Sequence, residues 1–425
     1  MVEQGRLMMI NLKVDVAIIG AGPAGLAAAI SAYENGAKDV IVIDRNSWLG
    51  GILPQCIHDG FGVEEIGISM TGPEYAEMYI KKAEKFKITF LRETMVLQLD
   101  KNREIIAVNK QELLKIKAKS IVLAMGCREK TRWNFMIPGD RPSGIYTAGV
   151  AQAFINLYNI MVGKNVVILG SGDVGLIMAR RLKFEGANVL GVIEILPYAS
   201  GLPRNVVQCL DDYDIPLYLN HTVTYIKGRD RLESVTIAQV DGKMNLISGT
   251  EKEIKCDTLL FSLGLIPENE LSRNINIVID DVTGGPIVNQ IFETSISGIF
   301  ACGNCLQVYD TVDALSLGAK HAGKHAAKHA MGLKSKHNNY IQVVSGKGIR
   351  YVVPQRINKS GKVHFSLRVE KPRESATLHV FTGDNELLKK RLPWINPANM
   401  MEFDVNIDEE TIKSAKKLEV TLDDK

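Results

Sequence analysis

The feature that most constrains this chain is one construction that occurs twice at identical spacing. Lys13-Val-Asp-Val-Ala-Ile-Ile-Gly20-Ala-Gly22-Pro-Ala-Gly25 passes from an apolar segment of strand length through a glycine-rich turn into an alanine-rich helix. A second apolar segment, Asp39-Val-Ile-Val-Ile-Asp44, ends in a carboxylate 19 residues after Gly25. Lys164-Asn-Val-Val-Ile-Leu-Gly170-Ser-Gly172-Asp-Val-Gly175 repeats the strand, turn and helix, and Glu194 closes the next strand 19 residues after Gly175. Each piece has a physical purpose. Gly20 and Gly170 permit a tight turn, Gly22 and Gly172 let backbone approach a pyrophosphate, and Gly25 and Gly175 let helix pack on strand. The uncapped N–H groups at the helix start face the anion, and the acid lies within reach of adenosine ribose hydroxyls. Two copies 150 residues apart imply two dinucleotides, or one fold duplicated for two ligands.

Glu194 also bears on which nicotinamide nucleotide is used. A carboxylate there accepts from a free 2′-hydroxyl and repels a 2′-phosphate, and no arginine follows until Arg204. NADH is therefore favoured over NADPH.

Length and composition bound the remaining choices. At 425 residues the chain can hold two or three domains with separate cores. Its 46% apolar and 23% charged residues are ordinary for a globular protein, and a dispersed net charge of +3 calls for neither nucleic acid nor an anionic membrane. Cys56, Cys127, Cys209, Cys256, Cys302 and Cys305 are too thinly spread for a disulfide framework, which points to a reducing, cytoplasmic setting. The uncharged run 16–32 superficially resembles a signal or anchor, but Gly20, Gly22, Pro23 and Gly25 break it and no membrane span is expected. The first dozen residues read as a ragged tail, with a second start at Met8 or Met9.

Further motifs add to the pattern. Ser120-Ile-Val-Leu-Ala-Met-Gly126-Cys-Arg and Thr258-Leu-Leu-Phe-Ser-Leu-Gly264 are strand-and-glycine segments, and Ser297-Gly-Ile-Phe-Ala-Cys-Gly303-Asn304 precedes a long helix at about 312–331. With these, residues 13–335 resemble the flavoproteins with two dinucleotide-binding domains, the pyridine nucleotide-disulfide oxidoreductase superfamily, here without the disulfide. The resemblance implies an α/β chain with two Rossmann-like domains, FAD in the first and NADH in the second. The FAD domain is discontinuous at 13–147 and 281–335, with the NAD domain inserted at 148–280. The cofactor set then includes Gly20, Gly22, Gly25, Asp44, Arg45, Gly50, Gly51, Gly126, Gly303 and Asn304, together with Gly170, Gly172, Gly175 and Glu194. Short β-like segments at 88–116 would bring the backbone of Val96 to the adenine. Family members usually carry an acid where Asn304 stands; the amide keeps hydrogen-bonding capacity but not the charge. The helix after it would aim its positive end at the flavin pyrimidine.

Leu49-Gly-Gly-Ile-Leu-Pro-Gln-Cys56-Ile-His58-Asp-Gly-Phe-Gly62, Thr71-Gly-Pro-Glu-Tyr-Ala and Tyr146-Thr-Ala-Gly149-Val-Ala-Gln narrow the likeness. They resemble the flavoprotein subunits of opine oxidase, hydrogen cyanide synthase and multi-subunit sarcosine oxidase, and most of all the NADH-dependent flavoprotein beside bacterial glycerol-3-phosphate dehydrogenase. That implies a dehydrogenase partner subunit or a small-molecule electron acceptor, and a homo- or hetero-oligomer. Residues 340–425 read as alternating runs at 341–344, 349–353, 363–369, 377–381, 401–405 and 418–422, a small mostly-β domain, a sandwich suited to partner contact.

The cysteines and histidines leave alternatives. Neither position at which disulfide reductases of this fold carry a cysteine pair holds one. Cys56 is either a reactive thiol beside the flavin, as in single-cysteine NADH oxidases and peroxidases, or a small residue packed near the cofactor. His58 is either a proton donor or a structural histidine. Cys302-x-x-Cys305 has metal or redox spacing but lacks a second pair, and His321, His325 and His329 stack on one helix face without a carboxylate or thiol. The latter read as a solvated basic face, and no metal is expected. Against a catalytic oxidoreductase stands a non-catalytic scaffold that holds its nucleotides without turning them over.

Overall fold

The computed structural model describes residues 8–333 and 340–423. They form two compact units, one from the stretches up to Cys127 and from Pro267 onward, the other Arg128–Ile266.

In the first unit, strand Met8–Ile19 is paired along its length with Glu112–Leu123, in parallel, and on its other side with Val40–Ile43. The sheet extends outward through Thr89–Leu91 at one end and antiparallel Glu104–Val108 and Met95–Leu99 at the other. Ile299–Ala301, from the far side of the inserted unit, adds in parallel to Glu112–Leu123. The expectation of a ragged tail over the first dozen residues fails from Met8 onward, because Met8–Lys13 find ladder partners in Glu112–Lys117; residues 1–7 lie outside the described residues.

Helix Pro23–Glu34 follows the first glycine turn and is almost wholly buried, which its alanines permit. Helix Val312–Ala330 packs along it so closely that a Cβ on Gly323 would stand 2.1 Å from the Ala28 carbonyl oxygen. Ser31 Oγ donates to the Lys320 carbonyl at 2.7 Å in the same contact. The sheet and both helices share one hydrophobic core.

The second unit has a five-stranded parallel sheet in the order Leu217–Tyr218, Asn188–Ile193, Asn165–Leu169, Thr258–Phe261, Ile145–Thr147. A three-stranded antiparallel sheet, His221–Gly228, Leu232–Gln239 and Lys252–Lys255, lies beside it. Both edges of this unit fall earlier than the expected 148 and 280. Ile145–Thr147 belongs to its sheet through Thr258–Phe261, and Asn269 ties the chain after 266 into the first unit by donating to the carbonyls of Gly284 at 2.9 Å and Cys305 at 2.7 Å.

Beyond residue 340 two sheets face each other across a separate apolar core, in the sandwich manner expected. All six alternating runs are strands, and two strands escaped the pattern: the two-residue Arg356–Ile357, and Asn385–Leu392, a mostly exposed edge whose Lys389, Lys390 and Arg391 hide its period while discouraging edge-to-edge pairing. Arg368 is one tie between the sandwich and the rest of the first unit. Its guanidinium, 12% exposed, pairs with Asp310 and donates to the carbonyls of Val308, Pro397 and Ala398.

Candidate functional site

At the first glycine turn the backbone comes first. Gly20 has φ +106°, and a Cβ there would lie 2.3 Å from the Ala124 carbonyl oxygen. A Cβ on Gly25 would lie 1.8 Å from the Gly20 carbonyl oxygen. Gly22 differs: its Cβ position meets nothing nearer than Gly51 Cα at 3.9 Å. The turn is thus closed against side chains on its protein side and bare at Gly22, where helix Pro23–Glu34 begins without a capping side chain or a first-turn acid. Such a cradle fits a pyrophosphate.

Asp44, at the end of strand Val40–Ile43, does more than wait for a ribose. Its Oδ2 accepts from the Ala21 N–H at 2.6 Å and its Oδ1 from the Asn46 N–H at 2.8 Å, leaving acceptor capacity on a carboxylate that has room for about four bonds. Arg45 beside it is exposed. Gly50 donates its N–H to the Ala21 carbonyl at 2.9 Å, and Gly51 approaches Gly22 so closely that a Cβ on it would fall 2.8 Å from Gly22 Cα. Val96 is 7% exposed and its side chain lies in the core, in a strand whose register shifts between Val96 and Gln98. Gly126 (φ +73°) lies just before the crossover, with its carbonyl accepting from the Glu268 N–H at 3.0 Å. A Cβ on Gly303 would strike the Ala24 side chain at 2.6 Å, so the late motif is pressed on the helix that leaves the glycine turn. Next to it, Asn304 Oδ1 accepts from the Tyr309 N–H at 3.1 Å while Nδ2 lies 3.6 Å from the Cys127 sulfur. The amide thus engages neighbours on both sides, one as donor and one as acceptor, which a carboxylate could not do.

The second turn has the same frame with different furniture. Ser262 lies beneath it: a Cβ on Gly175 would stand 2.6 Å from Ser262 Cβ, and the Gly175 N–H donates to Ser262 Oγ at 3.1 Å. Helix Asp173–Phe184 does carry an acid in its first turn, but Asp173 Oδ1 already accepts from the Leu202 N–H and from Asn205 Nδ2 at 2.8 and 2.7 Å. Glu194 is 4% exposed and accepts from the Ser171 N–H, mirroring the bond from Asp44 to Ala21. Both nucleotide frames are therefore built, and residue types as well as backbone fit the two groups.

Cys56 and His58 stand on the segment that follows Gly51. The Cys56 N–H donates to the Leu53 carbonyl at 2.9 Å, closing the short turn Leu53–Gln55, and its carbonyl accepts from the Gly72 N–H at 2.8 Å. Loss of water around the thiol pushes it up to about 12, so it is neutral at ordinary pH. The His58 ring stacks obliquely on Phe61 at 4.9 Å, with Nδ1 3.1 Å from the Asp59 carbonyl.

Two residues absent from the sequence reading fix this segment. Asp313, 2% exposed in the first turn of helix Val312–Ala330, accepts from the N–H groups of Gly62 and Glu65 at 3.1 and 3.0 Å. Glu65, its side chain 7% exposed, pairs with Lys320 and accepts from the hydroxyls of Tyr75 and Tyr79. Their sequence signal is weak, because neither lies in a motif and the partners are about 250 residues apart. Burial alone would raise the Glu65 carboxyl, yet the Lys320 ammonium and the two tyrosine hydroxyls outweigh it and hold the group below its ordinary 4.5. A carboxyl depressed in the folded state stabilises fully above its unfolded value and loses that contribution as pH falls through the folded one. The 57–70 segment should therefore stay fastened above pH 4.5 and loosen below it, and Glu65→Gln should remove that dependence. Hydrogen exchange of peptides from this segment across an acid titration checks it; loosening that begins near neutrality would contradict the assignment.

The histidines of helix Val312–Ala330 do not form the solvated basic face expected. His321 hydrogen-bonds the Gln290 carbonyl at 3.0 Å and meets Phe292 edge-on, and His329 is 6% exposed beside Phe300. Burial lowers His321 and, with His321 and nearby lysines adding to it, lowers His325 to about 3. The face turns inward because the helix packs on both sides, and the rings serve as packing groups. Cys302 and Cys305 are likewise fully buried free thiols, with Cys305 Sγ 3.2 Å from the carbonyls of Leu123 and Cys302.

Comparison with known proteins agrees with this geometry. The family described as "Pyridine nucleotide-disulphide oxidoreductase" matches residues 14–322. NADH dehydrogenase of Bacillus subtilis is 25% identical over 294 residues, covering 68% of this chain and 53% of the relative. The hydrogen cyanide synthase subunit HcnB of Pseudomonas protegens is 25% identical over 288 residues, covering 63% of this chain and 60% of the relative. The chain thus spans between half and two thirds of the length of these two relatives. Thioredoxin reductase of T. acidophilum has the same fold, with a TM-score of 0.63 at 22% identity over 75% of this chain and 99% of that one. Among the described residues no helix is long and apolar enough to cross a membrane.

Proposed function

The chain belongs to the pyridine nucleotide-disulphide oxidoreductase family, and on that premise we propose that it oxidises NADH and delivers the electrons to an acceptor outside its own sequence. Its oxidoreductase class and its FAD and NAD(H) cofactors go with the family. The observation that carries the reading is the pair of built nucleotide frames: at both turns a strand-end acid grips the turn backbone, Asp44 at Ala21 and Glu194 at Ser171. We assign FAD to the first unit and NAD(H) to residues 128–266.

The flavin, when bound, supplies a carrier that accepts a hydride and hands electrons on. The chain's part is to bind, orient and exclude water. Gly22 and the helix start after it would receive the pyrophosphate, Asp44 the ribose, and Gly303 with Asn304 the chain toward the ring. Asp313 and Glu65 hold the segment with Cys56 and His58 in place. With Cys302 and Cys305 sealed in the core, electrons leave to a second protein or a small acceptor and not through a dithiol of this chain. The HcnB relative is by name a subunit, which supports a partner dehydrogenase; an enzyme acting on glycerol 3-phosphate is the partner to try first, in the cytoplasm.

The test is anaerobic addition of NADH to the purified flavoprotein while flavin absorbance is followed. Rapid bleaching is expected, and an unchanged spectrum would instead leave the chain a nucleotide-holding scaffold. A parallel arm treats the NADH-reduced, air-exposed protein with dimedone. No adduct is expected at Cys56, because a thiol raised to about 12 is not a nucleophile near neutrality; a stoichiometric adduct would make the chain a single-cysteine oxidase or peroxidase.

A further inference from the structure

The acid of the second nucleotide frame is heavily engaged by the protein itself, above all at one of its two oxygens. Glu194 Oε1 accepts from the Leu196 N–H at 3.0 Å. Its Oε2 accepts from the Ser171 N–H at 3.0 Å, from Ser171 Oγ, and from Ser200 Oγ at 3.0 Å. Three of those four bonds crowd Oε2, more than its two lone pairs hold, while Oε1 keeps one open position, so a ribose hydroxyl approaching Oε2 meets competing donors. The contrast with Asp44, which receives only the bonds from Ala21 and Asn46 among the described residues, is internal to the chain.

The extra bonds come from one short segment. The Ser200 N–H donates to Ser171 Oγ at 2.8 Å, and the Leu202 N–H and Asn205 Nδ2 close on Asp173. A Cβ on Gly201 would lie 2.8 Å from the Ser171 carbonyl oxygen and 2.9 Å from Asp173 Oδ1, so this segment lies directly on the glycine turn. Of the donors on Glu194, two are backbone groups fixed by turns, whereas Ser200 is exposed and its hydroxyl can rotate away.

We propose, resting on the assignment of NAD(H) to residues 128–266, that segment 196–202 is a latch over that nucleotide site and that the Ser200 hydroxyl occupies the position on Glu194 which a ribose hydroxyl takes on binding. The nucleotide and the latch compete for one carboxylate. Ser200 thereby weakens nucleotide binding, and the segment is released when the nucleotide arrives.

The experiment measures NAD+ binding to the oxidised full-length flavoprotein by calorimetry, for the unaltered chain, Ser200→Ala and Ser200→Thr. Removing one competing hydroxyl should tighten NAD+ about three- to tenfold in Ser200→Ala, while Ser200→Thr, which keeps the hydroxyl, stays near the unaltered value. In parallel, hydrogen exchange of peptides covering 195–205 should quicken when NAD+ is added. Unchanged or weaker binding in Ser200→Ala, or slower exchange in the complex, would overturn the latch. Absence of binding by the unaltered chain would overturn the nucleotide assignment instead, and the latch with it.

Discussion

Gly22→Ala should yield a folded protein that has lost most of its flavin. The backbone at Gly22 is extended, at φ −71° and ψ −178°, which any residue can adopt. Its Cβ position is clear of protein atoms to 3.9 Å, so the added methyl disturbs nothing in the fold. As a helix N-cap, alanine is worse than glycine by no more than about 1 kcal/mol. The same methyl stands where the turn backbone must meet the pyrophosphate, and an overlap of that kind costs about 1–3 kcal/mol, or roughly five- to a hundredfold in FAD affinity. Gly25→Ala is the informative companion. Its Cβ would fall 1.8 Å from the Gly20 carbonyl oxygen, so both the melting temperature and the flavin should collapse. The ratio of flavin to protein absorbance, read beside thermal melting, separates the two cases. A Gly22→Ala protein with full flavin content would mean the pyrophosphate lies elsewhere.

Arg368→Met should cost about 3–5 kcal/mol of stability, the range seen when one member of a buried ion pair is removed. The guanidinium is 12% exposed and the Asp310 side chain 14%, so the abandoned carboxylate would keep little solvent in place of its guanidinium partner, with the Met400 N–H still donating to it. Three carbonyls, those of Val308, Pro397 and Ala398, and the Tyr351 hydroxyl lose donors in the same substitution. Arg368→Lys should recover only part of the loss, since one ammonium cannot serve five directions. Urea unfolding of the two variants measures this. A penalty below about 1 kcal/mol for Arg368→Met would show that the ion pair does not hold the sandwich.

Much of this is legible in the sequence. The two glycine frames could be read because each depends on local physics: an apolar strand, a turn that excludes Cβ atoms, and an acid at a fixed distance along the chain. The alternating runs after 340 were legible for the same reason. What escaped depends on contacts between distant segments. Asp313 and Glu65 look like ordinary surface acids until a fold brings Gly62, Tyr75, Tyr79 and Lys320 to them. The four-residue repeat of His321, His325 and His329 tells which residues share a helix face, not whether that face meets water. The edges of the inserted unit were misplaced since Ile145–Thr147 is a three-residue strand, identified only by its neighbour Thr258–Phe261. Spacing sets Glu194 at the end of its strand, but the crowding of its Oε2 by Ser171 and Ser200 has no signature there.

The central strand pairing has a consequence for how this protein comes off the ribosome. Glu112–Leu123 completes its sheet only when Ile299–Ala301 arrives, and the long flank of the alanine-rich helix Pro23–Glu34 that meets Val312–Ala330 stays bare until that helix is made. The inserted unit contains every strand of its own two sheets and can finish first. The part made earliest is thus among the last to be completed, with its apolar surface unburied while some two hundred further residues are synthesised. Nascent chains halted between about 270 and 290 should then show a protease-resistant inserted unit joined to a sensitive amino-terminal half, and a requirement for chaperones should fall in that same interval.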